Sequence, residues 1–73
     1  MKDESFLRRL GQRLRNLRVS ADLSQEELGE LSDLHRNYIG GVERGERNPT
    51  ITSLRKMAKA LGISLSKLFM KLE

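Results

Sequence analysis

Three polar side chains on one short stretch of the chain have the types and spacing needed to read the edges of base pairs. Arg36 and Asn37 are followed about two helical turns later by Arg44 on the same side of a helical wheel, with Gly40 between them. Arginine can donate paired hydrogen bonds to guanine, and asparagine can pair in the same way with adenine. The spacing therefore predicts that Arg36, Asn37 and Arg44 read bases, with guanine as the target of Arg36. The alternative is that Arg36 pairs only with a phosphate or with an acid such as Glu43.

The glycine pair Gly40–Gly41 is unusual inside a predicted helix. Each glycine there costs about 1 kcal/mol relative to alanine. We interpret the pair as a surface that DNA or another helix approaches closely, with Gly40 on the exposed face and against the DNA backbone. The alternatives are a hairpin at the two glycines or a helix that simply ends at Ile39.

Residue types that could catalyse a reaction are few. The chain has one histidine, His35, and no cysteine. A single histidine without partners builds neither a metal site nor a catalytic triad, so we expect His35 to cap the helix that follows it or to lie near a phosphate. Glu43 and Arg44 are predicted to form a local ion pair. We expect no enzyme, no cofactor and no metal.

Two short helices and the turn between them must position the polar face. Ser24 and Glu27 have the spacing of a capping box, which predicts that the second helix begins there. The turn at residues 32–34 has the length found in a helix-turn-helix motif, and its Asp33 tolerates a left-handed backbone. Gly29 is predicted where the second and third helices approach most closely. The third helix is predicted over His35–Glu43, ending before a glycine.

Three further helices complete an all-α bundle of five. Apolar residues at three- and four-residue spacing predict a first helix over Phe6–Ala21. A fourth is predicted over Ile51–Leu61, between a Thr50 cap and Gly62, and a fifth from Leu65 to about Leu72 with a Ser64 cap. In the second helix, Leu28 and Leu31 are expected to face inward. On this basis residues 1–73 form one domain, with the helix-turn-helix at about 24–44.

Composition narrows the class of protein further. The 73 residues carry 14 Lys and Arg against 10 acids, a net charge of +4, which favours an anionic partner. No apolar run is long enough for a membrane span, so we expect a soluble, cytoplasmic protein associated with the nucleoid. Five arginines lie on the first helix, Arg18 at an edge of its apolar face. One interpretation is that these arginines form a phosphate-binding strip. The alternative is that most of them form a solvated helix surface and that only Arg13, Arg15 or Arg18 comes near DNA.

The combined motifs resemble a known family. The segment 23–28 reads Leu-Ser-Gln-Glu-Glu-Leu, and Tyr38-Ile39, residues 42–45 and Asn48-Pro49-Thr50 follow at the family's spacing. This pattern is similar to the XRE, or Cro/phage-repressor-like, helix-turn-helix domain over about residues 10–69. Within that family the chain looks most like the controller proteins of restriction-modification systems. It departs from the pattern at Asp33, where glycine is usual, and at Gly40, where many relatives carry a contacting side chain.

The resemblance implies a lambda-repressor-like five-helix fold, a homodimer, and binding to palindromic operators, including the operator of its own promoter. Arg36 and Asn37 match the family's base-reading positions. The positions expected to contact the sugar-phosphate backbone are Gln25, His35, Tyr38, Gly40, Arg47 and Asn48. Expected partners are double-stranded DNA with a pseudo-palindromic operator, a second copy of the chain, a second dimer on the operator and RNA polymerase. No membrane is expected.

The last two helices carry more apolar residues than one small core can use. We therefore predict a dimerisation region at about residues 62–73, with Ile63, Leu65, Phe69 and Leu72 packing across a two-fold axis. Other classes of function are an antitoxin-type or phage-type repressor of the same fold, a protein-interaction module and a nonspecific nucleic-acid binder. A protein interface would place aromatic or aliphatic anchors on the third helix, and a nonspecific binder would not need Asn37.

Overall fold

Five helices make up the part of the chain that the structure, a computed structural model, describes: the backbone of residues 2–72 and the side chains from residue 4. They are α1 (Lys2–Ser20), α2 (Gln25–Ser32), α3 (Arg36–Glu43), α4 (Ile51–Leu61) and α5 (Leu65–Leu68). No strand occurs among these residues, so the predicted all-α class with five helices is confirmed. None of the helices in this range is long and apolar enough to cross a membrane.

The helix boundaries follow the capping residues that the sequence contains. The Ser24 hydroxyl accepts a hydrogen bond from the Glu27 amide at 3.0 Å, and the Glu27 carboxylate accepts one from the Ser24 amide at 2.8 Å. Thr50 and Ser64 cap α4 and α5 in the predicted way. Asp33 ends α2 with a left-handed φ of 60°, as expected for this position. These local bonds satisfy amides that a helix terminus leaves without partners.

The core lies where α2 and α3 cross and where α1 and α4 cover them. Its fully buried side chains are Leu14, Leu28, Ile39, Val42, Met57 and Leu68. Gly29 permits the crossing, because a Cβ there would lie 2.5 Å from the Leu34 carbonyl oxygen. Gly11 has the same role on α1, since a Cβ there would collide with the Val42 carbonyl at the end of α3. The predicted close approach at Gly29 is confirmed, and the one at Gly11 was not anticipated.

Two predictions about α2 and α5 are wrong. Leu31 is 62% exposed, and Ser32 takes the inward position with its hydroxyl donating to the Leu28 carbonyl at 2.6 Å. The buried face of α2 is formed by Leu28, Gly29 and Ser32, and Leu31 lies about 100° away from the centre of that face. The fifth helix ends at Leu68 and does not reach Leu72. A turn with a left-handed Lys71 follows and returns Leu72 to the core.

Two arginines of α1 hold the end of α5. Arg13 donates from Nη2 to the Lys67 carbonyl at 2.7 Å and from Nε to the Leu68 carbonyl at 3.3 Å. Arg9 donates from Nε to the Leu72 carbonyl at 3.1 Å. The last carbonyls of a helix have no partners within it, so the two guanidinium groups attach α5 and the turn after it to α1.

Candidate nucleic-acid interface

The first turn of α3 presents Arg36 and Asn37 to solvent. Extended backbone at His35 precedes the helix, and the His35 Nδ1 accepts a hydrogen bond from the Asn37 amide at 3.0 Å. The predicted cap is therefore confirmed. In the following turns of the helix, Ile39 and Val42 are buried in the core. Arg36 and Asn37 are therefore exposed at the start of a helix whose later residues, 39–43, are buried.

Exposed ion pairs accompany the arginines of this face. Arg36 Nη1 lies 3.7 Å from the Glu26 carboxylate, with 61% of the Arg36 side chain exposed. Arg44 Nε donates to Glu46 at 3.0 Å. Exposed pairs of this kind contribute little to stability, about 0–1 kcal/mol, so a phosphate or a base can replace the carboxylate at low cost. The prediction that Arg44 pairs with the neighbouring Glu43 is therefore wrong.

Glu43 instead forms a buried ion pair with Arg18. Arg18 donates from Nε to Glu43 Oε2 at 2.6 Å and from Nη2 to Oε1 at 3.0 Å, and from Nη1 to the Leu23 carbonyl at 2.8 Å. The two side chains are only 11% and 3% exposed. The hydrogen bonds that Arg18 donates to Glu43 raise the pKa of Arg18, although burial acts in the opposite direction. The expectation that Arg18 belongs to a phosphate-binding or solvated surface is therefore wrong: Arg18 joins the end of α1 to the end of α3.

Gln25 connects this buried pair to the surface. Its Nε2 donates to Glu43 Oε1 at 3.0 Å, which places the carboxamide against Gly40 of α3. A Cβ on Gly40 would lie 3.2 Å from the Gln25 Oε1 and 3.1 Å from an Arg44 Nη. Gly40 is therefore buried beneath Gln25 and Arg44, and the predicted exposed face at Gly40 is wrong. The glycine does give a close approach, but the partner is a side chain of the same protein.

The loop after α3 carries the remaining predicted contacts. Arg47 and Asn48 are exposed, and the Arg47 guanidinium lies over the ring of Tyr38, 5.7 Å from its centroid. Gly41 is buried beneath the Arg47 side chain. The structure thus brings Tyr38 and Arg47 together, although they lie nine positions apart in the chain. Sequence reasoning missed this contact, and the glycine pair was the only signal that pointed to it.

The four predicted dimer residues lie away from α3. Ile63, Leu65 and Phe69 are half-buried and pack on the core cluster, whereas Leu72 is 6% exposed and belongs to that cluster. Phe69 also borders a surface groove together with Phe6, Leu7, Pro49 and Ile51. An apolar surface therefore continues beyond the predicted residues onto α1 and the start of α4.

Comparisons with known proteins agree with this arrangement. The Helix-turn-helix family model HTH_3 matches residues 14–68. Control protein C.SmaI of Serratia marcescens is 52% identical over 59 residues, which cover 81% of this chain and 70% of that protein. Control protein C.MunI of a Mycoplasma species is 42% identical over 66 residues, 89% of each chain. The crystal structure of the restriction-modification controller protein C.AhdI from Aeromonas hydrophila superposes with a TM-score of 0.85 at 52% identity, covering 86% of this chain and 96% of that one.

The fold and the exposed face of α3 are those of a helix-turn-helix DNA-binding regulator, a class that acts without enzymatic chemistry. The chain belongs to the HTH_3 family, and the relatives named above place it beside the restriction-modification control proteins. The resemblance expected from the sequence is confirmed.

Proposed function

We propose that this protein is a homodimeric controller of a restriction-modification system that binds a pseudo-palindromic operator and regulates its own promoter. The observation that carries the proposal is the exposed Arg36–Asn37 pair on the first turn of α3, a helix whose following residues 39–43 are all buried. The first turn of a recognition helix is the part that contacts base edges in the major groove. The names of relatives with similar length, C.SmaI and C.MunI, support the controller role.

Contacts with the operator divide into two groups in this proposal. Arg36, Asn37 and Arg44 read bases, because Arg36 and Asn37 are exposed on the first turn of α3 and Arg44 is exposed at its C-cap. The residues at the start of α2 and α3 and in the following loop position the protein on the sugar-phosphate backbone, a role that fixes register without reading sequence. They are Gln25, His35, Tyr38, Gly40, Arg47 and Asn48. For Gly40, buried beneath Gln25, any contact with a phosphate passes through that neighbouring side chain or the backbone.

The dimer is proposed to form through the apolar surface around α5. Ile63, Leu65 and Phe69 retain exposed area for a partner, and Leu72 supports them from beneath. With a two-fold axis through this surface, the same residues of each copy face one another. The two copies of α3 then have to lie about 34 Å apart, which is one turn of DNA. A second dimer on the same operator, a contact with RNA polymerase and a place on the nucleoid in the cytoplasm belong to the same proposal.

Selection of DNA from a random duplex library with the purified protein tests the proposed function. We expect the recovered sequences to share an inverted repeat whose half-sites each contain a guanine. Recovery of unrelated sequences at equal frequency would contradict sequence-specific binding, and a single half-site without its repeat would contradict the dimer. Transcription from the recovered site by purified RNA polymerase, with and without the protein, then measures the sign of regulation.

A further inference from the structure

Arg47 differs from the other exposed arginines of the site because the protein contacts it along its whole length. Its backbone amide donates to the Gly41 carbonyl at 3.3 Å, beside the amide of Glu46, which donates to the same oxygen at 2.9 Å. These two bonds fold the loop back over α3. The Arg47 Cα is thereby held directly above the last turn of the helix.

The aliphatic part of the Arg47 side chain then crosses Gly41. A Cβ built on Gly41 would lie 2.7 Å from Arg47 Cγ, 3.5 Å from Nε and 3.6 Å from Cδ. The nearest of these atoms is close to the Arg47 backbone, which the two hydrogen bonds fix, so a methyl group at residue 41 cannot be accommodated by moving the end of the side chain alone. The space that Arg47 occupies therefore exists only because residue 41 has no side chain.

The guanidinium of Arg47 completes the arrangement over the Tyr38 ring, 5.7 Å from its centroid. A guanidinium within about 6 Å of an aromatic face is attracted by the negative charge of the ring face. Arg36 and Arg44, by contrast, are held by one exposed carboxylate each, at 3.7 Å and 3.0 Å. The backbone, the aliphatic part and the guanidinium of Arg47 are therefore each held by contacts within the protein itself.

We propose that Gly41 and Tyr38 form a seat that fixes the Arg47 side chain before DNA binds, which makes both of them positioning residues for the Arg47 contact. The proposal rests on the proposed DNA-binding function. A side chain that is already ordered loses less conformational entropy on binding, and the planar guanidinium suits a fixed donor geometry. The contact of Arg47 with Gly41 also explains why residue 41 is a glycine, although alanine is preferred inside a helix.

The free protein is tested first, by nuclear magnetic resonance of the Arg47 side chain. We expect upfield ring-current shifts of the Arg47 side-chain protons and nuclear Overhauser effects to the Gly41 Hα protons and the Tyr38 ring. Gly41→Ala and Tyr38→Leu should remove these signals, whereas Tyr38→Phe, which keeps the ring, should retain them. Arg47 shifts at unfolded-peptide values in the unmodified protein would overturn the proposal, whatever the protein binds.

A double-mutant cycle on the selected operator tests the consequence for binding. When a long side chain has to become ordered on binding, the entropy cost weakens the Kd about three- to tenfold. We expect a loss of this size for Gly41→Ala, which should release the Arg47 side chain. The loss should disappear when Arg47→Ala is already present. Gly40→Ala is the matched control: its Cβ meets Gln25 and Arg44, so its effect should add to that of Arg47→Ala. An additive effect of Gly41→Ala would overturn the proposal.

Folding and function are separated by two further measurements. Circular dichroism and thermal unfolding establish that each variant is folded, and if Gly41→Ala is not, Tyr38→Leu against Tyr38→Phe takes its place in the cycle. Measured against Tyr38→Phe, which also lacks the hydroxyl that can contact the DNA backbone, Tyr38→Leu should lose affinity only while Arg47 is present, and an equal loss in the absence of Arg47 would overturn the seat. If the unmodified protein bound no DNA sequence, the proposed function would fail, and the resonance experiment alone would decide the seat.

Discussion

Arg36 and Arg47 are held by different parts of the protein, and their proposed roles differ accordingly. Arg36 stands on the first turn of α3 beside an exposed Glu26 carboxylate that a DNA group can displace. Arg47 stands on the loop and is directed by Gly41 and Tyr38. A residue on the helix can enter a groove, whereas one on a flanking loop meets the backbone that borders it.

Replacement of Arg47 by alanine should weaken binding to all duplexes to a similar degree. The reason is that a phosphate contact carries charge and no sequence information, and releases about one counterion. The plot of log K against log salt should therefore lose about one unit of slope. Titrations at several salt concentrations measure it. A changed preference among operators would instead identify Arg47 as a base reader.

At the scale of the elements, the ion pair of Arg18 and Glu43 decides how α1 meets α3. Glu43→Ala should lower the free energy of unfolding by about 3–5 kcal/mol, because it leaves a buried guanidinium without its partner. Replacing both partners by apolar residues, Arg18→Met with Glu43→Leu, should recover most of the loss. Urea denaturation measures both, and Glu46→Ala, which removes an exposed pair, should change stability by less than about 1 kcal/mol. A loss for Glu43→Ala as small as that of Glu46→Ala would contradict the account.

The stabilisation that Arg18 contributes through this ion pair depends on pH in a definite direction. The pKa of Arg18 is raised in the folded protein, so the stabilisation that it contributes is fully present below the ordinary pKa of arginine. It would decline only as the pH rises through the higher folded value. Across neutral and mildly alkaline pH, deprotonation of Arg18 should therefore contribute no loss of stability.

The helices themselves were predictable wherever their limits are set by neighbouring residues. Ser24, Thr50 and Ser64 are caps, and their helices begin as predicted, because a cap bonds an amide two or three residues away. The errors have a different cause. The exposure of Leu31 depends on which side of α2 meets α3, and the early end of α5 depends on a turn that returns Leu72 to the core.

The candidate site divides in the same way. Arg36 and Asn37 were found from one helix, because the residues that share a face follow from the helical period. The contact of Arg47 with Tyr38 and that of Gln25 with Glu43 each join two different elements. Helical periodicity relates only residues of the same helix, so it could not predict these contacts. Glu43 was assigned to its chain neighbour for this reason, although its partner Arg18 lies 25 residues earlier.

At the scale of the whole molecule, the apolar surface around α5 should determine whether two copies associate. Phe69→Ser should convert the dimer to a monomer, because it removes a large apolar contact near the proposed axis. Sedimentation at micromolar concentration measures the change, and circular dichroism verifies the fold. Leu31→Ser is the matched control, since Leu31 is an exposed leucine on α2. A dimer that survives Phe69→Ser unchanged would place the axis elsewhere.

Attachment of α5 to α1 should matter for the same assembly. Arg13→Ala removes two hydrogen bonds to the Lys67 and Leu68 carbonyls, which should loosen the segment that carries Leu65 and Phe69. We expect a weaker dimer and a small loss of stability, about 1 kcal/mol. Sedimentation across a concentration series detects the weaker dimer. An unchanged dissociation constant would show that the Arg13 hydrogen bonds are not needed to hold α5 in position for the dimer.

Titration of Arg36→Ala with the selected operator and with a scrambled duplex, at one salt concentration, distinguishes base reading by Arg36 from a contribution of charge alone. The account predicts a loss of about 1–3 kcal/mol on the operator, the worth of a paired contact with guanine, and a much smaller loss on the scrambled duplex. Arg55→Ala, which removes an equal exposed charge from α4, should affect the two duplexes alike. Equal losses on both duplexes for Arg36→Ala would show that Arg36 supplies charge and no sequence information, which would contradict the account.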